Sequence, residues 1–132
     1  MLIAACVLAG LAALVHVYIF VLESVRWEHP ATRRVFGTTA ETAAVTQPLA
    51  YNQGFYNLFL AIGTAIGLLL FWTGPNADGE AVGRALVLFS LGSMVAAALV
   101  LVTSDRRKAR AALVQGLFPA LALGCLLIWS LT

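Results

Sequence analysis

Residues 2–22 read LIAACVLAGLAALVHVYIFVL, an apolar run that holds no Asp, Glu, Lys or Arg and is broken by a single histidine, His16. At about 1.5 Å of rise per residue, about 20 residues of helix cross a hydrocarbon core of about 30 Å, so a run of this length reads as a membrane span. Three further charge-free runs follow, Leu49 to Trp72, Ala85 to Val102 and Ala111 to Leu131. With their interfacial ends the spans read as 2–25, 48–72, 84–103 and 111–131. The third is the shortest and borrows Gly83, Arg84 and Thr103 at its ends.

The rest of the composition agrees. A chain of 132 residues that is 61% hydrophobic and 11% charged cannot hide its apolar surface in one water-soluble core. In lipid only helices and closed barrels satisfy their backbone, and no alternating strand pattern is present. The expected architecture is all-α: an integral membrane four-helix bundle forming a single domain over residues 1–132.

The first run could be confused with a leader, since Ile3-Ala-Ala-Cys6 resembles a lipoprotein cleavage box. Five residues cannot supply a charged and an apolar region, and the run continues well beyond the cysteine, so this helix is expected to remain in the mature protein. Orientation follows from the cations. Arg26, Arg33 and Arg34 in the first connection and Arg106, Arg107, Lys108 and Arg110 in the third stand against Arg84 alone on the other side. Basic loops stay cytoplasmic, which puts both termini and the Thr73 to Gly83 loop outside, in a multi-pass protein of a bacterial inner membrane. The cluster reads as topology or as a match to anionic headgroups, not as a nucleic-acid surface.

Helix contacts in lipid need small residues. The Gly63 to Gly67 pair on the second span, Gly116, Ala120 and Gly124 on the fourth, and Gly92, Ser93 and Ala96 to Ala98 on the third are the candidate packing faces, within one copy or in a homo-oligomer. In the long first connection, Pro30 should end any extension of the first helix. Thr38-Thr-Ala-Glu41 has capping-box spacing, predicting a short separate helix over about 39 to 46, with Pro48 in the first turn of the second span. Trp27, Trp72 and Trp129 read as an aromatic belt at span ends. Cys6 and Cys125 share a depth that makes a disulfide conceivable, although buried cysteine usually serves as a small hydrophobe.

Ionisable and amide side chains inside spans are costly and need partners. His16 lies about 15 Å of helix before Arg26, near the midplane, and Glu23 is shallower. The two are seven residues apart, on one face of the helix and about 10.5 Å from each other. On the second span Asn52, Gln53, Tyr56 and Asn57 fall within an arc of about 140°. Gln115 on the fourth span stands beside a backbone carbonyl that Pro119 cannot bond. These seven residues, His16, Glu23, Asn52, Gln53, Tyr56, Asn57 and Gln115, form the candidate ligand-binding set, opening near the cytoplasmic leaflet. The competing reading is interhelical glue, at about 0.6 kcal/mol per hydrogen bond. One buried His, one Glu and amides do not make a metal set, and no phosphate loop or catalytic motif occurs.

Leu14-Val-His16 with Glu23 and Trp27, Val35-Phe-Gly37 before Glu41, Asn52-Gln-Gly with Tyr56-Asn57, and Val114-Gln-Gly116 with Pro119-Ala120 resemble, in order and spacing, the DUF1304 family of small bacterial membrane proteins of unknown function. The resemblance covers nearly the whole chain and implies a compact four-helix membrane fold with no established activity. The functional expectation is a pocket that binds or transports a small amphiphilic or lipid-like ligand. The alternatives are a lipid-modifying enzyme using His16 and Glu23 as acid and base, and a structural or partner-binding subunit.

Overall fold

The computed structural model describes residues 1–74 and 76–131. Pro75, in the expected outer loop, and Thr132, at the chain end expected outside, lie outside the described residues. The order is α1 (Leu2–Phe20), a π-helical turn (Val21–Val25), α2 (Pro30–Phe36), α3 (Ala40–Thr73), α4 (Ala77–Ser104), a 3-10 turn (Arg106–Lys108) and α5 (Ala109–Leu131). Among the described residues there is no strand, and four helices are long and apolar enough to cross a membrane: Leu2–Val25, Ala40–Thr73, Ala77–Ser104 and Arg106–Leu131.

The distribution of side-chain size is that of a protein solvated by lipid. Most of the buried hydrophobic residues are alanines, among them Ala5, Ala9, Ala12, Ala61, Ala112 and Ala122, while Ile3, Phe59, Leu69, Phe89, Leu99 and Leu127 point outwards. In water the large side chains would be inside, because apolar burial drives folding there. In lipid that drive is absent between helices, and small residues let backbones close up.

The chain forms two compact units. The first comprises the described residues of Met1–Val15 and Leu60–Thr132. Its core joins Ala9 and Ala12 of α1, Val87, Leu91 and Met94 of α4 and Ala122 of α5, with Leu60 and Leu68 of α3 against it. α3 and α4 meet at glycines: a Cβ on Gly63 would lie 2.7 Å from Ser90 Oγ, and one on Gly67 would lie 2.9 Å from the Gly83 carbonyl. Gly116 likewise abuts Ala98 across α4 and α5. The expected stripes on α3 and at Gly116 are therefore used within the unit, whereas Gly92 and Gly124 have nothing within 4 Å of a Cβ. Trp129 takes the Arg84 guanidinium at 5.5 Å and the Phe71 ring at 6.1 Å. Cys6 and Cys125 are not bridged.

The second unit is His16–Phe59, the end of α1, α2 and the first half of α3. Two expectations are corrected here. No separate helix stops before Pro48: α3 starts at Ala40 and runs through that proline. Its cap is Thr39, one residue later than the capping-box spacing suggests, with Oγ1 accepting from the Thr42 amide at 3.2 Å. The short helix of this connection lies earlier, and Pro30 opens it rather than ending α1. Pro suits a first helical position because the N–H it lacks would be unpaired there. α2 closes at Gly37, whose φ of 64° is the left-handed conformation that glycine adopts without strain.

Between the third and fourth spans Asp105 caps the 3-10 turn, Oδ1 accepting from the Arg107 amide at 3.0 Å. The Arg107 guanidinium beside it holds this carboxyl below the usual carboxylate range. The expected outer loop is mostly helix, because Asn76 caps α4 by accepting from the Gly79 amide at 2.9 Å. Asp78 and Glu80 fill the first turn, where the helix dipole favours acids.

Candidate functional site

Glu23 sits inside the π-helical turn that ends the first span, a turn in which the Arg26 amide donates to the Val21 carbonyl five residues back, at 2.9 Å. More residues per turn means less rotation between neighbours, so Glu23 and Ser24 both reach α3. Such single π turns recur at functional positions. Glu23 Oε2 accepts a hydrogen bond from Asn57 Nδ2 at 2.9 Å, and the same amide nitrogen donates to the Gln53 carbonyl at 3.1 Å. Ser24 Oγ donates to the Tyr51 carbonyl at 2.8 Å.

This contact requires Gly54. A Cβ there would lie 3.0 Å from the Ser24 amide nitrogen and would collide with its hydroxyl. Phe55 flanks the junction, its ring 5.1 Å from Phe20 and 4.9 Å from Tyr51. The Asn52-Gln-Gly stretch thus has a physical reason at its glycine: the helix before it must approach within backbone distance for Glu23 to meet Asn57.

Of the seven expected residues, Glu23 and Asn57 bond to each other through their side chains, and Gln53 joins through its backbone. His16 is buried, at 1% exposure, on the same helix. Asn52, Gln53 and Tyr56 have exposed side chains on α3. Gln115 is half-buried on α5, in the other unit, one turn before the buried Pro119.

The unit His16–Phe59, which holds Glu23 and Asn57, carries two grooves that the sequence did not announce. The larger, about 310 Å³, lies where the chain leaves the π turn and is lined by Ser24, Arg26, Trp27, Glu28, His29 and Gln47, together with Val25. The smaller, about 130 Å³, is lined mainly by Tyr18, Val21, Leu22 and Val35, with Thr32 and Arg26. Trp27 fixes the loop between them. Its Nε1 donates to the Ala43 carbonyl at 3.0 Å and contacts Thr46 Oγ1 at 3.3 Å, and its ring packs on Phe36 at 5.0 Å. This indole is therefore a clamp between the loop and α3, a role beyond the aromatic belt expected of it. His29, expected in a plain loop, caps α2, Nδ1 accepting from the Ala31 amide at 3.3 Å, while Nε2 stands 3.3 Å from Arg26 Nη2. The stretch Arg26-Trp-Glu-His29, ahead of Pro30, was the available signal.

No curated protein and no solved structure matches this chain. Residues 10–127 match the family model described as protein of unknown function, DUF1304, so the resemblance carried by the Glu23, Asn52-Gln-Gly and Tyr56-Asn57 positions holds over most of the sequence, and the chain belongs to that family.

Proposed function

We propose that this multi-pass membrane protein binds a small amphiphilic or lipid-like molecule at the junction of α1 and α3, with Glu23 as its principal polar contact. One observation carries the reading: a carboxylate and an amide, both within spans, are bonded across two helices at a π turn. Helices do not need a carboxylate to associate in lipid, where it is costly, and small residues already hold this junction together. A carboxylate also accepts more than one hydrogen bond, so Glu23 can take a hydroxyl or ammonium donor of a ligand while keeping Asn57. The exposed Asn52, Gln53 and Tyr56 of α3 supply further polar groups along the approach. We place the protein in the bacterial inner membrane, with the basic connections at the cytoplasmic leaflet.

The test is native mass spectrometry of the protein released gently from its own membrane. The expected result is a discrete bound mass in the wild type that is lost in Glu23→Gln/Asn57→Leu. Spectra with no adduct in either protein, together with a lowered melting temperature in the variant, would reduce the pair to structural glue. The same spectra report whether a second copy is the partner instead.

A further inference from the structure

We propose a second site, separate from the Glu23 and Asn57 pair: Arg26 and His29 hold the phosphodiester of an acidic phospholipid, with an acyl chain running along the smaller groove. A neutral imidazole has one N–H and one acceptor nitrogen. Here Nδ1 faces the Ala31 amide and Nε2 faces the Arg26 guanidinium, each at 3.3 Å, and both of those neighbours can only donate. Whichever nitrogen carries the proton, one of the two contacts sets donor against donor. With Nδ1 accepting from α2, the Nε2–H and the Arg26 N–H groups stand side by side at the larger groove. Two oxygens of one phosphate accept such a pair of donors, and an arginine fork suits phosphate geometry.

The neighbourhood favours an anion held this way. Among the described residues the ion pairs are Arg84 with Glu80 and Arg107 with Asp105, so Arg26 has no carboxylate counter-ion. Glu28 puts one acidic side chain at the same groove, and the Arg33 guanidinium, whose Nε donates to the Glu28 carbonyl at 3.2 Å, sets a second cation beside Arg26 against that charge. Ser24 of the π turn and Gln47 of α3 add polar groups to its wall.

The choice of a lipid over a soluble phosphate comes from the second groove. Arg26 lines both, standing where a polar groove meets one walled by Tyr18, Val21, Leu22 and Val35. A headgroup on one side of a single guanidinium and a chain on the other is the division of an amphiphile. The site also lies at the end of a membrane span, where phospholipid phosphates are found.

The experiment uses the full chain, delipidated in neutral detergent, with ligands counted by native mass spectrometry. The probes are phosphatidylglycerol, diacylglycerol with the same chains, and glycerol phosphate. Wild type is expected to keep one phosphatidylglycerol with at least tenfold preference over diacylglycerol and to bind no glycerol phosphate at equal concentration. Arg26→Gln, at an exposed position, should lose that preference with an unchanged melting temperature, while Arg110→Gln, which removes an equal charge elsewhere, should retain it. His29→Asn, which keeps a capping side chain, should weaken retention without unfolding α2. Equal retention of the two lipids, or equal loss in Arg26→Gln and Arg110→Gln, overturns the proposal. Saturation by glycerol phosphate alone would make this a soluble-phosphate site and overturn the lipid assignment. None of these outcomes depends on Glu23, so this site and the proposed function fail separately.

Discussion

At the scale of single residues, Gly54 and Gly10 separate packing from propensity. Both lie in helices, yet a Cβ on Gly54 meets the Ser24 backbone and hydroxyl, whereas one on Gly10 meets nothing within 4 Å. Gly54→Ala should cost about 1–3 kcal/mol through overpacking. Gly10→Ala should be neutral or should stabilise by up to about 1 kcal/mol through helix propensity. Thermal unfolding in one detergent decides it, and equal melting points for the two variants would remove the close approach of α1 and α3 from the account. Trp27→Phe keeps the ring on Phe36 but removes the Nε1 donor to Ala43 and Thr46. A loss of about 1–2 kcal/mol is expected, with faster proteolysis within residues 26 to 39 as the local readout. Glu23 and Asn57 were legible in the sequence because polar groups are conspicuous within spans. Their bond was not, because it needs a π turn, and Val21 to Val25 contains no residue that announces one.

At the scale of elements, the spans were legible because charge stops where hydrocarbon starts, but helix ends were not, because helices in this chain continue past the apolar runs. α3 has 34 residues, about 51 Å of helix, well beyond what a bilayer core needs. Its extra turns come from Thr39 as cap and from Trp27, which bonds the Ala43 carbonyl and so fastens the first turn to the loop. Tertiary contacts thus override Pro48, which lies eight residues into the helix and was expected near its start. An interior proline removes the N–H that would bond the carbonyl four residues earlier, here that of Ala44, and costs about 3 kcal/mol relative to alanine. Pro48 is exposed, so Pro48→Ala should create no cavity and should recover part of that cost. A higher melting temperature, with slower amide exchange over residues 44 to 52, is the expected outcome. A drop in stability would mean that the proline fixes a bend on which the loop depends.

At the scale of the whole molecule, the number of spans was set by composition, and burial of alanine with exposure of leucine and phenylalanine agrees with lipid as the solvent. Insertion direction is a separate matter, decided during synthesis by which loops keep their cations. Seven basic residues in the first and third connections stand against Arg84, and Arg84 is itself occupied, bonded to Glu80 at 2.9 Å and set over the Trp129 ring at 5.5 Å. In a variant with Cys6 and Cys125 changed to alanine, Asp78→Cys should react with an impermeant maleimide on intact cells. Thr39→Cys and Arg107→Cys should react only after permeabilisation. Neutralising Arg106, Arg107, Lys108 and Arg110 together should weaken the bias and produce a mixed population in which part of the Asp78→Cys pool becomes protected. Labelling of Thr39→Cys in intact cells would reverse the orientation. It would also move the Arg26 and His29 grooves to the opposite leaflet, leaving their chemistry intact and changing only which lipids they could meet.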